Sequence, residues 1–183
     1  MRRIIYFALG VILLSGCTTM GKPFEYDNAK TLRLGDLKIG DYKQVFGNPK
    51  KTSIEKNKDG EFEKAFYYSA TVSIFGVKSK QMFLEFKNGI LNAYHYGGNQ
   101  KEGINFDSSR IKDISIAESK KSNVSNILGE PSGKGLCPTT VYPTNIKCET
   151  GGEIWTWETG KAMIYAVFDS NSIVQDIHVS QEQ

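Results

Sequence analysis

Two short segments of the chain space their apolar residues like one face of a helix. Apolar side chains stand at positions i, i+3 and i+4 in both segments, 82 residues apart: Tyr42, Val45, Phe46 and Val124, Ile127, Leu128. A Gly-x-Pro sequence follows each set, at 47–49 and 129–131. Glycine favours the left-handed conformation that ends many helices, and proline cannot continue one. The pattern predicts two short helices that end at these glycines, although helices ending in Gly and Pro are common in any protein.

Strand patterns follow both predicted helices. Residues 83–91 and 165–174 each combine an apolar run, a turn that contains Asn and a second apolar segment, which predicts a β-hairpin. This second likeness favours a tandem repeat. We predict an α+β fold of two tandem helix-plus-antiparallel-meander units, at 31–106 and 107–183, and leave open whether they share one continuous sheet.

Alternation along the predicted strands separates two faces, since successive side chains of a strand point to opposite sides. We assign to the helix-covered core Met82, Leu84, Phe86, Tyr94, Tyr96, Ile164, Ala166, Phe168, Ile177 and Val179. The opposite face then carries Phe83, Glu85, His95, Met163, Tyr165, Val167, Asp176 and His178. A sheet with helices on one side leaves its other side to solvent or to a partner.

The helix, the Gly-x-Pro sequence, the aromatic strands and the Gly89-Ile90 hairpin together resemble the small module of the SmpA/OmlA (BamE) lipoproteins. Those proteins belong to the machinery that assembles outer-membrane β-barrels, and β-lactamase inhibitory protein carries the same module in tandem. The resemblance covers about residues 31–97 and 111–180. It implies the fold and a protein-binding character. It does not extend to a role in barrel assembly, because the chain has two modules and lacks the Gly-Met-Thr start of that group.

The first 17 residues have the layout of a secretory signal. Arg2 and Arg3 precede the apolar run 4–14, which is too short to span a membrane. Leu-Ser-Gly-Cys at 14–17 resembles the lipobox of bacterial lipoproteins, which implies cleavage before Cys17 and attachment of lipid such as palmitate to that cysteine. The alternative is an ordinary signal with a chance cysteine. The residue after Cys17 is Thr18 and not aspartate, which resembles the lipoproteins that are sorted to the outer membrane. Residues 17–30 are expected to form the lipidated end and a polar tether.

Cys137 and Cys148 are the remaining cysteines of the three. In an oxidising envelope compartment their proximity in sequence favours a disulfide, which closes a short loop and contributes about 3 kcal/mol in the chain-entropy account. The alternative is a metal site. Zinc normally takes four closely spaced ligands, and no histidine or third cysteine lies near these two. We predict no metal and no cofactor.

Charge and catalytic motifs exclude several function classes. Loss of Arg2 and Arg3 with the signal leaves 21 basic against 20 acidic residues, with no basic cluster that would indicate nucleic-acid binding. The chain has no Gly-x-Ser-x-Gly elbow and no phosphate-binding loop. Asp176 and His178 share a strand face, but such a pair is more often solvated than catalytic. We predict no enzymatic activity and no small-molecule substrate.

Aromatic residues and histidines provide the candidate binding positions. Phe83, His95, Tyr165 and His178 lie on the face that we expect to be open, where aromatic side chains often dominate protein–protein contacts. The alternative is that the two units pack these residues against each other. Trp155 and Trp157 share one face of a short strand, and they become binding candidates if that face points outward.

These observations predict a lipoprotein anchored in the outer membrane, facing the periplasm, that binds another envelope protein as an accessory or scaffold subunit. An alternative function is inhibition, in which the two units clamp a periplasmic or extracellular enzyme. A third, from another class, is an envelope hydrolase that uses His178.

Overall fold

The computed structural model describes residues 18–21, 24, 26–36, 38–73, 75–99, 107–143, 146–158 and 162–181. The predicted signal sequence and Cys17 lie outside these residues. The elements are, in chain order, β1 (Thr18–Gly21), α1 (Tyr26–Lys30), α2 (Ile39–Phe46), β2 (Lys51–Asn57), β3 (Gly60–Ser73), β4 (Gly76–Lys87), β5 (Ile90–Gly97), a 3₁₀ turn (Ser108–Asp113), α3 (Lys121–Leu128), β6 (Gly133–Leu136), β7 (Glu153–Glu158), β8 (Ala162–Phe168) and β9 (Val174–Gln181).

All nine described strands form one antiparallel sheet. Strands β3 to β9 follow one another in chain order, and β1 and β2 lie end to end along the outer edge of β3. The predicted α+β fold of two helix-plus-meander units is therefore wrong: the described chain is mostly antiparallel sheet, with three short α-helices. The periodicity of the sequence identified local elements, but it carries no information on which strand edges pair.

Helices α2 and α3 end directly before Gly47 and Gly129, which have positive φ angles of 75° and 77°. The carbonyls of these glycines accept hydrogen bonds from side chains of the sheet. The hydroxyl of Tyr67 donates to Gly47 O at 3.0 Å, and Trp157 Nε1 donates to Gly129 O at 3.1 Å. An aromatic side chain of the sheet thus holds the end of each helix.

The helices cover one face of the sheet, and the core lies between. One cluster contains Phe24, Ala29, Tyr42, Phe46, Ala65, Tyr67, Met82, Leu84, Phe86, Leu91, Tyr94 and Tyr96. A second contains Ile114, Val124, Leu128, Trp155, Trp157, Ile164, Ala166, Phe168 and Val174. Burial of this apolar surface is the main driving force for folding. The face predicted from alternation as helix-covered is the one that carries these clusters, but Val179, which was assigned to the core, is 49% exposed near the end of β9.

The segment expected to be a tether is partly built into the sheet. Strand β1 pairs with β3, from Thr18 opposite Val72 to Gly21 opposite Ser69. Helix α1 follows, and its Ala29 is fully buried in the first cluster. The tether prediction is therefore wrong for these residues. Their polar sequence gave no sign of strand pairing, because an edge strand is stabilised by backbone hydrogen bonds rather than by its side chains.

Strands β5 and β6 join the two halves of the sheet through three residue pairs: Ala93 with Gly135, Tyr94 with Lys134, and His95 with Gly133. Glycine is required at 133, because a Cβ there would lie 2.6 Å from Thr156 Oγ1 and 2.7 Å from the backbone oxygen of Tyr94. At 135 a Cβ would lie 2.8 Å from the ring of Tyr142. The two glycines let neighbouring groups lie directly on the backbone of β6.

Substituting Gly133→Ala should destabilise the protein by about 2 kcal/mol, because the new methyl overlaps a backbone carbonyl that cannot move away. Urea denaturation followed by far-UV circular dichroism measures this change. Gly40→Ala is the matched control: a Cβ at this position of α2 meets nothing within 4 Å. Alanine is a better helix former than glycine, so this variant should be unchanged or up to about 1 kcal/mol more stable. Equal urea midpoints for the two variants would contradict the close packing at β6.

Candidate functional site

The face of the sheet opposite the helices, here called the helix-free face, is partly covered by the loop 137–148. The predicted disulfide between Cys137 and Cys148 is confirmed, with Cα atoms 5.8 Å apart. Cys137, Tyr142 and Ile146 of the loop pack on Ile154, Tyr165 and Val167 of the sheet in a third apolar cluster. This part of the helix-free face is therefore core, not open surface.

Glu85 holds the same loop from the side of β4. Its side chain is fully buried, and its two carboxylate oxygens accept four hydrogen bonds. Oε1 accepts from Asn92 Nδ2 and Thr139 Oγ1, both at 2.8 Å. Oε2 accepts from the backbone amide of Thr140 at 2.9 Å and from its hydroxyl at 2.6 Å. A buried carboxylate is costly unless its oxygens are satisfied in this way, so Glu85 and the loop stabilise each other.

Beyond the loop, the helix-free face carries three aromatic side chains, Phe66, Tyr68 and Phe83, here called the aromatic patch. The rings of Phe66 and Phe83 lie 4.6 Å apart, and those of Phe66 and Tyr68 lie 6.4 Å apart. Phe83 remains 37% exposed, and the other two are half-buried. Lys50 Nζ lies 4.9 Å from the centre of the Tyr68 ring. The patch combines apolar surface with a nearby cation on a rigid pair of strands.

A depression of about 370 Å³ lies beside the patch, where β1 and β2 leave a gap along the edge of β3. Its lining includes Lys50, Tyr67 and Tyr68, with Gly21, Asn48 and Pro49. Tyr68 is thus shared by the depression and the patch. A side chain of a bound partner could enter the depression while the patch contacts its neighbours.

A buried polar pair borders the patch on its other side. His95 pairs with Phe83 across β4 and β5, and its Nε2 lies 3.2 Å from Glu158 Oε2. The two form an ion pair when the imidazole is protonated. Apart from this contact, neither atom has a hydrogen-bond partner within the described part of the chain, and both are buried away from solvent. The pair therefore joins β5 to β7 at the border of the patch and is not itself a surface for a bound group.

The predicted binding residues are not gathered in one place. Phe83 is exposed in the aromatic patch, and His95 is buried at its border. Tyr165 is buried below the loop, with its ring 6.0 Å from that of Tyr142. His178 lies on β9, far along the sheet, with Nε2 2.9 Å from Asp176 Oδ2.

The two tryptophans do not face outward, which was the condition for predicting them as binding residues. Trp157 is fully buried and Trp155 is 8% exposed, both in the second core cluster. Their face of β7 points toward helix α3 and not outward. Their prediction as partner-binding residues is corrected here, since the second cluster of apolar side chains surrounds both rings.

Phe66, Tyr68 and Glu158 were not among the predicted binding residues. A signal for the first two existed: Phe66 and Tyr68 alternate with core residues of β3, which places them on the same face as Phe83 once β3 and β4 are paired. Glu158 reaches His95 only because β6 and β7 bring distant segments side by side. No local pattern could have shown that contact.

Burial dominates the ionisation of the tyrosines around the site. It raises the pKa of the Tyr142 hydroxyl far above its usual range, since the ring lies entirely within the protein. Burial, and secondly the carboxylate of Glu158, raise the pKa of Tyr165. Burial likewise raises the pKa values of Tyr42, Tyr67, Tyr94 and Tyr96. These hydroxyls are therefore neutral and do not act as bases at physiological pH.

Two further classes of feature are absent from the described residues. They contain no group of three or more His, Cys, Asp or Glu side chains that could hold a metal ion. None of their helices combines the length and apolar character needed to cross a membrane.

Comparison with known proteins gives a fold and no family. No protein-family model matches the chain, and no curated protein matches it significantly. Among solved structures, a putative beta-lactamase inhibitor protein from Streptococcus mutans aligns with a TM-score of 0.50 and 14% identity, over 86% of this chain and 98% of that one. A DUF4309 family protein from Bacillus subtilis aligns over 85% of each chain with 13% identity and a TM-score of 0.28. The first likeness is one of fold, as the resemblance to β-lactamase inhibitory protein implied; membership of the SmpA/OmlA group stays a prediction.

Substituting Glu85→Gln should destabilise the protein by about 3 kcal/mol, because an amide nitrogen replaces an oxygen that accepts buried hydrogen bonds. Urea denaturation measures the loss, and hydrogen exchange at the Thr140 amide should accelerate. Glu61→Gln is the control, because the Glu61 carboxylate is exposed in a surface pair with Lys56 and such pairs contribute little. A Glu85→Gln variant as stable as the control would show that the carboxylate does not hold the loop.

The buried tyrosines should make the fold sensitive to alkali. Their folded pKa values are raised above the value of about 10 that tyrosine has in an unfolded chain. The stability that they contribute is therefore complete below pH 10 and is lost as the pH rises further, because the unfolded state releases protons first. Absorbance at 295 nm should show tyrosines ionising at higher pH in the native protein than in urea. Coincident titration curves for a protein that remains folded would contradict this burial.

Proposed function

We propose that this chain is a protein-binding module without enzymatic activity, held at the outer membrane by lipid on Cys17 and facing the periplasm. It binds another envelope protein, as an accessory or scaffold subunit, through the aromatic patch of the helix-free face. The observation that carries the proposal is the exposure of Phe83 within three neighbouring aromatic rings, next to the part of the helix-free face that the loop 137–148 covers.

Several properties of the patch support a protein partner. Aromatic residues provide much of the binding energy in protein interfaces, because large rigid rings bury apolar area at little entropic cost. The patch lies on β3 and β4, which pair over twelve residues and are therefore rigid. The depression beside Tyr68 offers a place for an anchoring side chain.

The proposed anchor would act together with the patch. Thr18, the residue after Cys17, pairs with Val72 of β3, the strand that also carries Phe66 and Tyr68. Lipid on Cys17 would therefore keep the patch close to the membrane surface. Confinement of this kind raises the effective concentration of the module for a partner in the same membrane without any added contact.

Inhibition of an enzyme is a second candidate function, and one observation favours it. The fold is similar over nearly the whole length of the Streptococcus mutans structure, whose name refers to beta-lactamase inhibition. If the protein is an inhibitor, the aromatic patch would contact the target enzyme. The two candidates share a binding surface and differ in the partner, so one set of variants tests both.

Substituting Phe83→Ala should remove most of the affinity for the partner, about 30-fold in Kd, which corresponds to a hot-spot loss of about 2 kcal/mol. The test is a pull-down of the tagged full-length protein from native envelopes in mild detergent. Ile54→Ala is the matched control, since Ile54 is 60% exposed but lies on the outer strand β2. Phe83 is partly exposed, so its variant should remain folded, which thermal unfolding checks.

The possible results separate the candidates. A membrane protein that is retained by wild type and by Ile54→Ala, and lost by Phe83→Ala, supports the accessory role. Suppression of β-lactamase turnover by the purified protein, relieved by the same substitution, supports inhibition. A partner that binds Phe83→Ala as tightly as wild type would place the binding surface elsewhere.

A further inference from the structure

One end of the sheet carries a projecting hairpin. The pairing of β4 with β5 ends at Gln81 and Gly97, whereas the pairing of β3 with β4 continues for five more residue pairs, to Ser73 and Gly76. At about 3.4 Å per residue, the hairpin extends roughly 17 Å past the end of β5. Asn99, which follows β5, lies along the inner side of this extension: its Oδ1 accepts from the Ser79 amide and its Nδ2 donates to Val77 O, both at 2.6 Å. The outer side of this extension is lined by β1.

The projecting end exposes apolar side chains that the core does not use. Phe75, beside the turn, is 93% exposed, and Val77 and Val72 are 49% and 37% exposed. Met20 of β1 is 51% exposed on the neighbouring strand. Val72, Val77 and Met20 lie on the same face of the sheet, as their cross-strand pairing shows. Exposed apolar residues are ordinary when scattered, but a cluster at a projecting tip indicates a contact surface.

The charges of the hairpin restrict what this surface contacts. Between Glu63 and Glu85 the sequence contains no acidic residue, and two of the lysines in that span, Lys78 and Lys80, lie near the tip. Apolar side chains accompanied by lysines are the combination that binds the interface of a membrane with anionic lipids, where the apolar groups enter the headgroup region and the ammonium groups face phosphates.

The position of the N-terminal strand identifies the same end of the molecule. Strand β1 is antiparallel to β3, and its first residue, Thr18, lies opposite Val72, next to the tip. Consecutive Cα atoms are 3.8 Å apart, so the residue before Thr18 in the sequence, Cys17, is covalently tied to this end of the sheet. A lipid on Cys17 would therefore be attached one residue from the Thr18–Val72 pair.

We propose that the tip of the β3–β4 hairpin enters the membrane interface as a second contact beside the lipid on Cys17. This inference rests on the proposed lipid anchor. A lipid alone lets the module swivel, whereas two contacts fix its orientation. The occupant is the bilayer surface rather than a protein, because the exposed residues, the lysines and the anchor point coincide at one projecting end.

The test uses the full-length protein with the substitution F75W, reconstituted into vesicles of phosphatidylethanolamine and phosphatidylglycerol with or without brominated acyl chains. Bromine quenches indole fluorescence only at close range. The native Trp155 and Trp157 are buried in the core and give a background shared by all samples. I54W, on the exposed strand β2, is the matched control. We expect a blue shift and at least twofold stronger quenching for F75W than for I54W.

The mass of the N-terminal peptide shows, independently of the fluorescence, whether Cys17 carries lipid. Lipidated protein that floats with vesicles, with equal quenching of F75W and I54W, would overturn the hairpin contact and leave the anchor intact. Quenching of F75W in protein that carries no lipid would support the hairpin contact and reject the anchor on Cys17. A blue shift of F75W without bromine quenching would show that the hairpin is covered by protein, which also overturns the inference.

Discussion

The architecture depends on the short pairing between β5 and β6. Three residue pairs convert two groups of strands into one sheet, and they do so where β6 has glycine on one face and Lys134 on the other. The absence of side chains at 133 and 135 brings Tyr142, Thr156 and His95 close to the backbone. On the helix-covered face, Lys134 Nζ lies 4.5 Å from the centre of the Trp155 ring. A larger residue at either glycine would separate the halves that this pairing joins.

After β6 the chain continues directly into the loop 137–148, which covers part of the helix-free face and leaves the rest open. The disulfide joins the two ends of the loop, and hydrogen bonds from Thr139 and Thr140 to Glu85 attach its first part to the other half of the sheet. The loop therefore stabilises the pairing of β5 with β6 from the helix-free face. The same arrangement determines which surface is left: the aromatic patch on β3 and β4 lies beyond the reach of the loop.

The long hairpin of β3 and β4 links the two proposed contacts of the molecule. Its central part carries Phe66 and Phe83, and its tip carries Phe75. Because the two strands are hydrogen-bonded over twelve residue pairs, they fix the orientation of the central part relative to the tip more firmly than a flexible linker would. If the tip and the lipid hold the membrane, the aromatic patch is presented at a fixed height above it, which suits a module that meets its partner in the same envelope.

Much of the local structure follows from the sequence alone. The spacing of Tyr42, Val45 and Phe46 and the glycine after them determined a helix and its end, because both depend on residues that are neighbours in the chain. Alternation assigned Met82, Leu84 and Phe86 to the helix-covered core, and the two cysteines left by the predicted signal identified the disulfide. The tertiary structure decided that β5 pairs with β6, that β1 joins β3, that the loop buries Glu85 and Tyr165, and that both tryptophans face inward. Strand pairing and loop packing join residues that are distant in sequence, and no periodicity of a single segment contains that information.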